Sequence, residues 1–197
     1  METSLLVGFI GVALVAYLVP GPDWLIVLKG ATAGPRRGAV TGLGSQTGLL
    51  VHGLLATMGV SALIAAAPGA LIVIQVLGAL YLLYLAITGL MGGTDEGSAA
   101  PVGWREGFIT NITNPKVIVF FVAIAPQFVG SGQPIWLQMF ILTLLDVIIG
   151  ILWWTLLACA LSPLVTRIGI GRINVVASVL LTVVALGLLA VTAAEHL

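Results

Sequence analysis

Six apolar stretches of membrane-spanning length, at residues 5–28, 39–66, 69–91, 107–128, 135–157 and 174–194, dominate this sequence. A helix that crosses a bilayer needs about 20 mainly apolar residues, because the hydrocarbon core is about 30 Å thick. Such a pattern points to an all-α polytopic membrane protein, in which helices satisfy their own backbone groups away from water. Composition agrees: 60% of the 197 residues are hydrophobic and 7% charged, with a mean hydropathy of +1.22. A soluble domain carries about a quarter of its residues charged. Net charge is zero, and no basic patch suggests a nucleic-acid partner. A lone cysteine, Cys159, excludes an intramolecular disulfide and a cysteine-rich metal site. The first residues, Met-Glu-Thr-Ser, lack the basic region of a signal peptide, so the first apolar run is expected to stay as a helix. Residues 1–197 read as a single transmembrane domain.

The basic residues orient it. Lys29, Arg36 and Arg37 lie around the first connection, Arg105 and Lys116 around the third, and Arg167 and Arg172 around the fifth. Those are all seven lysines and arginines. The positive-inside rule then places connections one, three and five in the cytoplasm and both termini outside. Six spans alternate consistently under that assignment; five would put some charges on the wrong side. The Gly-, Ser-, Asp- and Glu-bearing stretch 92–102 reads as a linker between halves 1–91 and 103–197. Three spans per half gives two inverted three-helix repeats, a plan common among secondary transporters.

Two spans are interrupted. Pro20-Gly21-Pro22-Asp23 breaks the first, and Asn111-Ile112-Thr113-Asn114-Pro115-Lys116 breaks the fourth. Proline removes a backbone donor and clashes with the preceding turn. Carbonyls freed this way are tolerated in a membrane only where protein or a watery cavity re-satisfies them. Polar side chains at both breaks point to a solute site. Orientation puts both breaks in the cytoplasmic half, about two turns from that surface.

Ionisable groups inside a bilayer cost at least about 2.5 kcal/mol and usually line a pathway. Asp146 is eleven residues past Ile135, roughly 16 Å along a helix, near the midplane and deeper than the breaks. It is either an inert protonated acid or a substrate contact and proton carrier. Asp23 is either a cap for the helix restarting after the break or part of the site, with a role in proton coupling. Lys116 either snorkels to the interface or pairs with Asp23 or a substrate carboxylate. Asn111 and Asn114 suit the freed carbonyls or the two ends of a zwitterion. Amides at a helix start also suit a carboxylate.

In span two, Gly38/Gly42 and Gly44/Gly48 form small-residue faces for close helix approach, within the chain or in a homo-oligomer. Gln46 and Thr47 face a cavity or bond between helices; His52 is a proton relay or an ordinary interhelical bond. Trp153-Trp154 reads as an interfacial belt and Arg36-Arg37 as a topology anchor.

These motifs resemble the LysE/RhtB family of amino-acid exporters over nearly the whole chain. The resemblance rests on Pro20-Gly21-Pro22, Gln46-Thr47-Gly48 with His52, Gly78-Ala79-Leu80-Tyr81-Leu82, the block from Asn111 to Lys116, Phe120-Phe121, Pro126-Gln127-Phe128 and Asp146. Span six carries Ser178 where the family pattern often has glycine. The resemblance implies export of amino acids or small derivatives from the cytoplasm of a bacterium, across its inner membrane, in exchange for protons. On that basis Pro20, Gly21, Pro22, Asp23, Gln46, Thr47, Asn111, Asn114, Pro115 and Lys116 are the expected substrate-binding residues. Asp146, with Asp23, is expected to couple protons. Partners are an amino acid, protons and lipid; no cofactor or metal is expected.

The rivals are weaker. A channel with paired Asn-Pro-Ala loops needs two Asn-Pro elements, and one occurs here. An aspartyl protease would pair Asp23 with Asp146, but no Gly-x-Gly-Asp signature surrounds Asp146. A metal-ion exporter gathers several His, Cys or carboxylate ligands, and the chain has two histidines and one cysteine. No phosphate-binding Gly-x-x-x-x-Gly-Lys loop is present.

Overall fold

A computed structural model describes residues 2–66, 68–90, 102–168 and 170–196. Among these residues the regular structure is entirely helical. The expected linker 92–102 lies outside the described residues except for Val102.

Proline and glycine chemistry sets the helix ends. The first apolar run forms α1 (Thr3–Leu18) and α2 (Pro22–Thr32), which meet at 62°. Pro22 occupies the first position of α2, where its missing N–H costs nothing. Gly34, with φ +132°, makes the turn into α3 (Pro35–Ala66), a left-handed conformation that favours glycine. α4 covers Pro68–Leu90. The fourth run is broken into α5 (Trp104–Ile112) and α6 (Pro115–Val119), followed by a π-helical turn, Phe120–Ile124, and a 3₁₀ turn, Ala125–Phe128. The bend between α5 and this second segment is 56°. The fifth run begins as α7 (Ile135–Leu156) and continues through a second π turn, Leu157–Leu161, into α8 (Ser162–Ile168). α9 (Ile170–His196) closes the chain.

The extension of the fifth helix past residue 157 has a local cause. Pro163 would clash with the carbonyl four residues back in a regular helix. That carbonyl, of Cys159, lies in the π turn, where the helix is wider. Pro126 likewise follows the other π turn by two residues.

Among the described residues two helices, Ile135–Val165 and Gly171–Ala194, are long and apolar enough to cross a membrane, and four spans are reached if each bent pair counts as one. The α3 helix has the length, but Thr41, Ser45, Gln46, Thr47 and His52 lower its hydropathy. It can carry them because α2, α5 and α7 surround it. Lipid-facing stripes are visible elsewhere. On α4, Val73, Leu77, Leu80, Tyr84 and Ile87 are exposed at three- or four-residue spacing, as are Ile141, Leu144, Ile148 and Leu152 on α7. Exposed apolar faces this continuous mark a membrane surface.

Glycines set how closely the backbones approach. A Cβ on Gly44 would collide with the Trp104 carbonyl of α5, and one on Gly107 with the Thr41 carbonyl of α3. Gly42 packs on Trp154 and Gly48 on Asn111. The span-two glycine faces are therefore used inside the chain. Gly44→Ala is expected to part α3 from α5 and abolish a monodisperse, folded protein on size-exclusion chromatography. Gly11→Ala, with nothing within 4 Å of its Cβ, should behave as the unmodified protein.

Candidate solute site between the two broken helices

At the first break the last carbonyls of α1 lack intrahelical donors. The Lys116 ammonium donates to the carbonyls of Ala16 and Val19, at 3.3 Å each. The Trp24 indole Nε1–H donates to the Tyr17 carbonyl at 2.6 Å. At the second break His52 Nε2–H donates to the Ile112 carbonyl at 3.1 Å. Asn114 caps α6, its Oδ1 accepting from the Lys116 amide at 3.0 Å. Side chains both near in sequence (Trp24, Asn114) and distant (His52, Lys116) thus serve the backbone groups at the breaks.

The breaks also touch each other. Both oxygens of the buried Asp23 carboxylate are occupied, Oδ1 by the Asn111 amide at 3.1 Å and Oδ2 by the Asn114 amide at 2.5 Å. A carboxylate and two amide donors, 88 and 91 residues apart in sequence, join the first half to the second.

Beside this junction lies a cavity of about 50 Å³, lined in part by Asp23, Asn111, Lys116, Gln46, Asp146 and Trp154. Tyr17 ties it together, its hydroxyl within hydrogen-bond range of both Gln46 Oε1 (3.3 Å) and the Asp146 carbonyl (3.2 Å). A Cβ on Gly150 would meet that hydroxyl and the Gln46 amide, so glycine is what lets α7 approach here.

Four buried polar atoms around the cavity have no protein partner: Gln46 Nε2, Trp154 Nε1, Asn111 Oδ1 and Asp146 Oδ1. Two are donors and two are acceptors. Each such atom costs about 1–3 kcal/mol when left unpaired, so these four call for a partner in the cavity, water or ligand. The volume has room for about three or four water molecules and is too small for an amino acid.

The LysE type translocator family matches residues 14–192. The chain belongs to that family. An uncharacterized membrane protein of Bacillus subtilis, YrhP, is 30% identical over 77% of this chain and 80% of its own. YahN of Escherichia coli, also an uncharacterized membrane protein, is 28% identical over 86% of this chain and 80% of its own. A protein of Salmonella typhimurium named leucine efflux protein is 36% identical over 62% of each chain. No solved structure matches. The LysE type translocator is a membrane transporter, not an enzyme.

Several expected residues meet in the translocator's cavity, and others do not. Asp23, Gln46, Asn111, Lys116 and Asp146 line it. Pro20, Gly21, Pro22, Asn114 and Pro115 shape or join the breaks without lining it. Thr47 is turned away, its hydroxyl donating to the Leu43 carbonyl of its own helix. Asp23 does not cap α2: the cap is Gly21, and the carboxylate is taken by the two asparagines. Lys116 neither snorkels nor spends its donors on Asp23, because the α1 carbonyls take them. His52 makes an interhelical bond. Asp146 and the breaks, expected at different depths, border one cavity.

Trp154 corrects the belt reading outright. It is 3% exposed, lines the cavity and packs edge-on against Tyr17 at 5.7 Å. Its position was readable from helix geometry, since Asp146, Gly150 and Trp154 fall four residues apart on one face. Tyr17 was likewise missed; it continues the buried row Phe9, Ala13, Tyr17. Two substitutions separate these roles. Gln46→Leu removes an unpaired donor and should lower transport about tenfold, whereas Thr47→Val should keep it within about twofold, both measured by efflux at equal protein content.

Proposed function

We propose that this translocator exports amino acids from a bacterial cytoplasm across the inner membrane, in exchange for protons. The four unpaired atoms around the cavity carry the proposal. Gln46 Nε2 and Trp154 Nε1 offer hydrogens to a carboxylate; Asn111 Oδ1 and Asp146 Oδ1 accept from an ammonium. A zwitterion presents both groups on one carbon. The leucine efflux protein named above supports the same substrate class.

Asp146 gives a direct basis for exchange. A buried carboxylate with an unpaired oxygen beside a mostly apolar cavity holds either a proton or the substrate's ammonium. Binding of one displaces the other, and neutralising the charge in both states lets the cavity cross the membrane plane. Opening requires the halves to part at the breaks, where Asp23, Lys116 and the asparagines make the cross-links.

Six spans in two inverted repeats, with both termini outside, is the architecture proposed for this cycle. Each half opens with a bent pair, and the second and third helices pack on their counterparts, α3 on α7 and α4 on α9. Among the described residues no three His, Cys, Asp or Glu side chains gather in one place, so no observation here favours the metal-ion alternative.

The test is efflux from proteoliposomes preloaded with individual labelled amino acids, with and without a pH gradient. Export accelerated by an inward proton gradient is the expected result. Efflux indifferent to that gradient would remove proton exchange, and no efflux of any amino acid would remove the substrate class.

A further inference from the structure

A second pocket, of about 570 Å³, opens at the end of the molecule that the basic residues mark as cytoplasmic. The α2–α3 turn and the start of α3 form one side, with Arg36, Arg37 and Val40; the residues leading into α5 form the other, with Val102, Gly103 and Glu106. Both arginines are exposed, and neither guanidinium has an ion-pair or hydrogen-bond partner among the described residues. Glu106, the acid that shares the pocket, holds the start of its own helix instead: its Oε2 accepts from the Gly103 amide at 2.9 Å. Two cations against one carboxylate leave the pocket with an excess of one positive charge.

Helix geometry continues this pocket into the bilayer. At about 100° per residue, Arg36, Val40, Leu43, Leu54 and Met58 lie within about 60° of one another around α3, and the four apolar ones are exposed. Thr47, on the same stripe, spends its hydroxyl on the Leu43 carbonyl. From Arg36 to Met58 the stripe runs about 33 Å, close to the thickness of the hydrocarbon core. Beside Gly103, the exposed Trp104 stacks on Phe108 at 5.3 Å. Exposed tryptophans of this kind sit at headgroup level, which places the arginines there too.

We infer that this pocket binds the headgroup of an anionic phospholipid of the cytoplasmic leaflet, with an acyl chain lying along the stripe that begins at Val40. A guanidinium meets a phosphodiester through two parallel N–H···O bonds, and two guanidiniums stand free where headgroup level and lipid-facing stripe meet. Basic pockets between membrane helices hold headgroups by this chemistry. The single excess positive charge suits a singly anionic lipid such as phosphatidylglycerol; in phosphatidylethanolamine an ammonium cancels the phosphate. Free phosphate lacks the chain that the stripe receives. Because the walls come from both halves of the chain, the bound headgroup bridges them.

The experiment is native mass spectrometry of the purified protein titrated with phosphatidylglycerol, with phosphatidylethanolamine, and with phosphatidylglycerol in the presence of excess inorganic phosphate. Phosphatidylglycerol is expected to bind at least about tenfold more tightly than phosphatidylethanolamine, and inorganic phosphate should not displace it. Arg36→Gln combined with Arg37→Gln should weaken phosphatidylglycerol binding at least about tenfold. Arg105→Gln removes a charge from the same end but not from the pocket, and should change binding by less than about threefold. If the doubly neutralised variant fails to insert, Arg36→Lys combined with Arg37→Lys keeps the charge and loses the fork, and should weaken binding about threefold. Equal binding of the two lipids, displacement by inorganic phosphate, unchanged affinity in the double variant, or an equal loss in Arg105→Gln would overturn the inference.

Discussion

Asp146→Asn is expected to abolish proton-driven exchange, by about 100-fold or more, while the protein still inserts and purifies as the unmodified chain does. The carboxylate sits in the middle of α7 and is 2% exposed, with Oδ1 unpartnered. Its hydrogen bond to an ammonium is charge-assisted and worth about 1.5–3 kcal/mol, and an amide cannot carry the proton that alternates with it. The substitution keeps the side chain's size, so packing against Gly150 and Tyr17 is preserved. Inert burial makes the opposite forecast. An aspartate that merely fills space would tolerate asparagine, with efflux and its pH dependence unchanged. Measuring the rate at several imposed gradients separates the two, since loss of coupling flattens the response as well as lowering it.

Lys116→Met should be the more damaging change for the fold. The ammonium bridges the carbonyls of Ala16 and Val19 across the first break, and methionine fills the space without a donor. Two part-buried carbonyls left unpaired, at about 1–3 kcal/mol each, amount to roughly 3 kcal/mol, and more where no water reaches them. The break of the first half would then lose one of its ties to the second, the Asp23–asparagine bonds remaining. We expect a lower thermal midpoint by fluorescence-detected chromatography, with transport lost in proportion. Lys116→Arg, which keeps a charged donor on a long stem, should recover much of both. A lysine that only snorkelled to the interface would show no stability loss on replacement by methionine.

Local chemistry was legible from the residues and long-range pairing was not. Pro22 and Pro115 announced helix breaks, and Gly44 and Gly48 announced close approach, because both follow from backbone sterics. Which side chain would rescue which carbonyl depended on contacts 97 to 100 residues apart, and no local pattern specifies those. Helix geometry, used more strictly, would have told more. Gln46 and Thr47 are adjacent, about 100° apart around a helix, so one cavity cannot readily take both. Trp154 follows Asp146 by eight residues and shares its face. A tryptophan pair near the end of an apolar run resembles an interfacial belt, and that compositional habit concealed the geometry. The long fifth helix was hidden similarly, because Pro163 reads as a terminator until the preceding π turn is seen.

The central claim is that an amino acid binds at the unpaired atoms between the two broken helices. It is tested most directly by equilibrium binding of a labelled amino acid, chosen by the efflux screen, to the purified protein. Saturable binding to the unmodified chain and to Thr47→Val is predicted, with loss of at least tenfold in affinity in Gln46→Leu and in Asn111→Leu variants that remain folded. Binding retained at full affinity in both folded variants would contradict it.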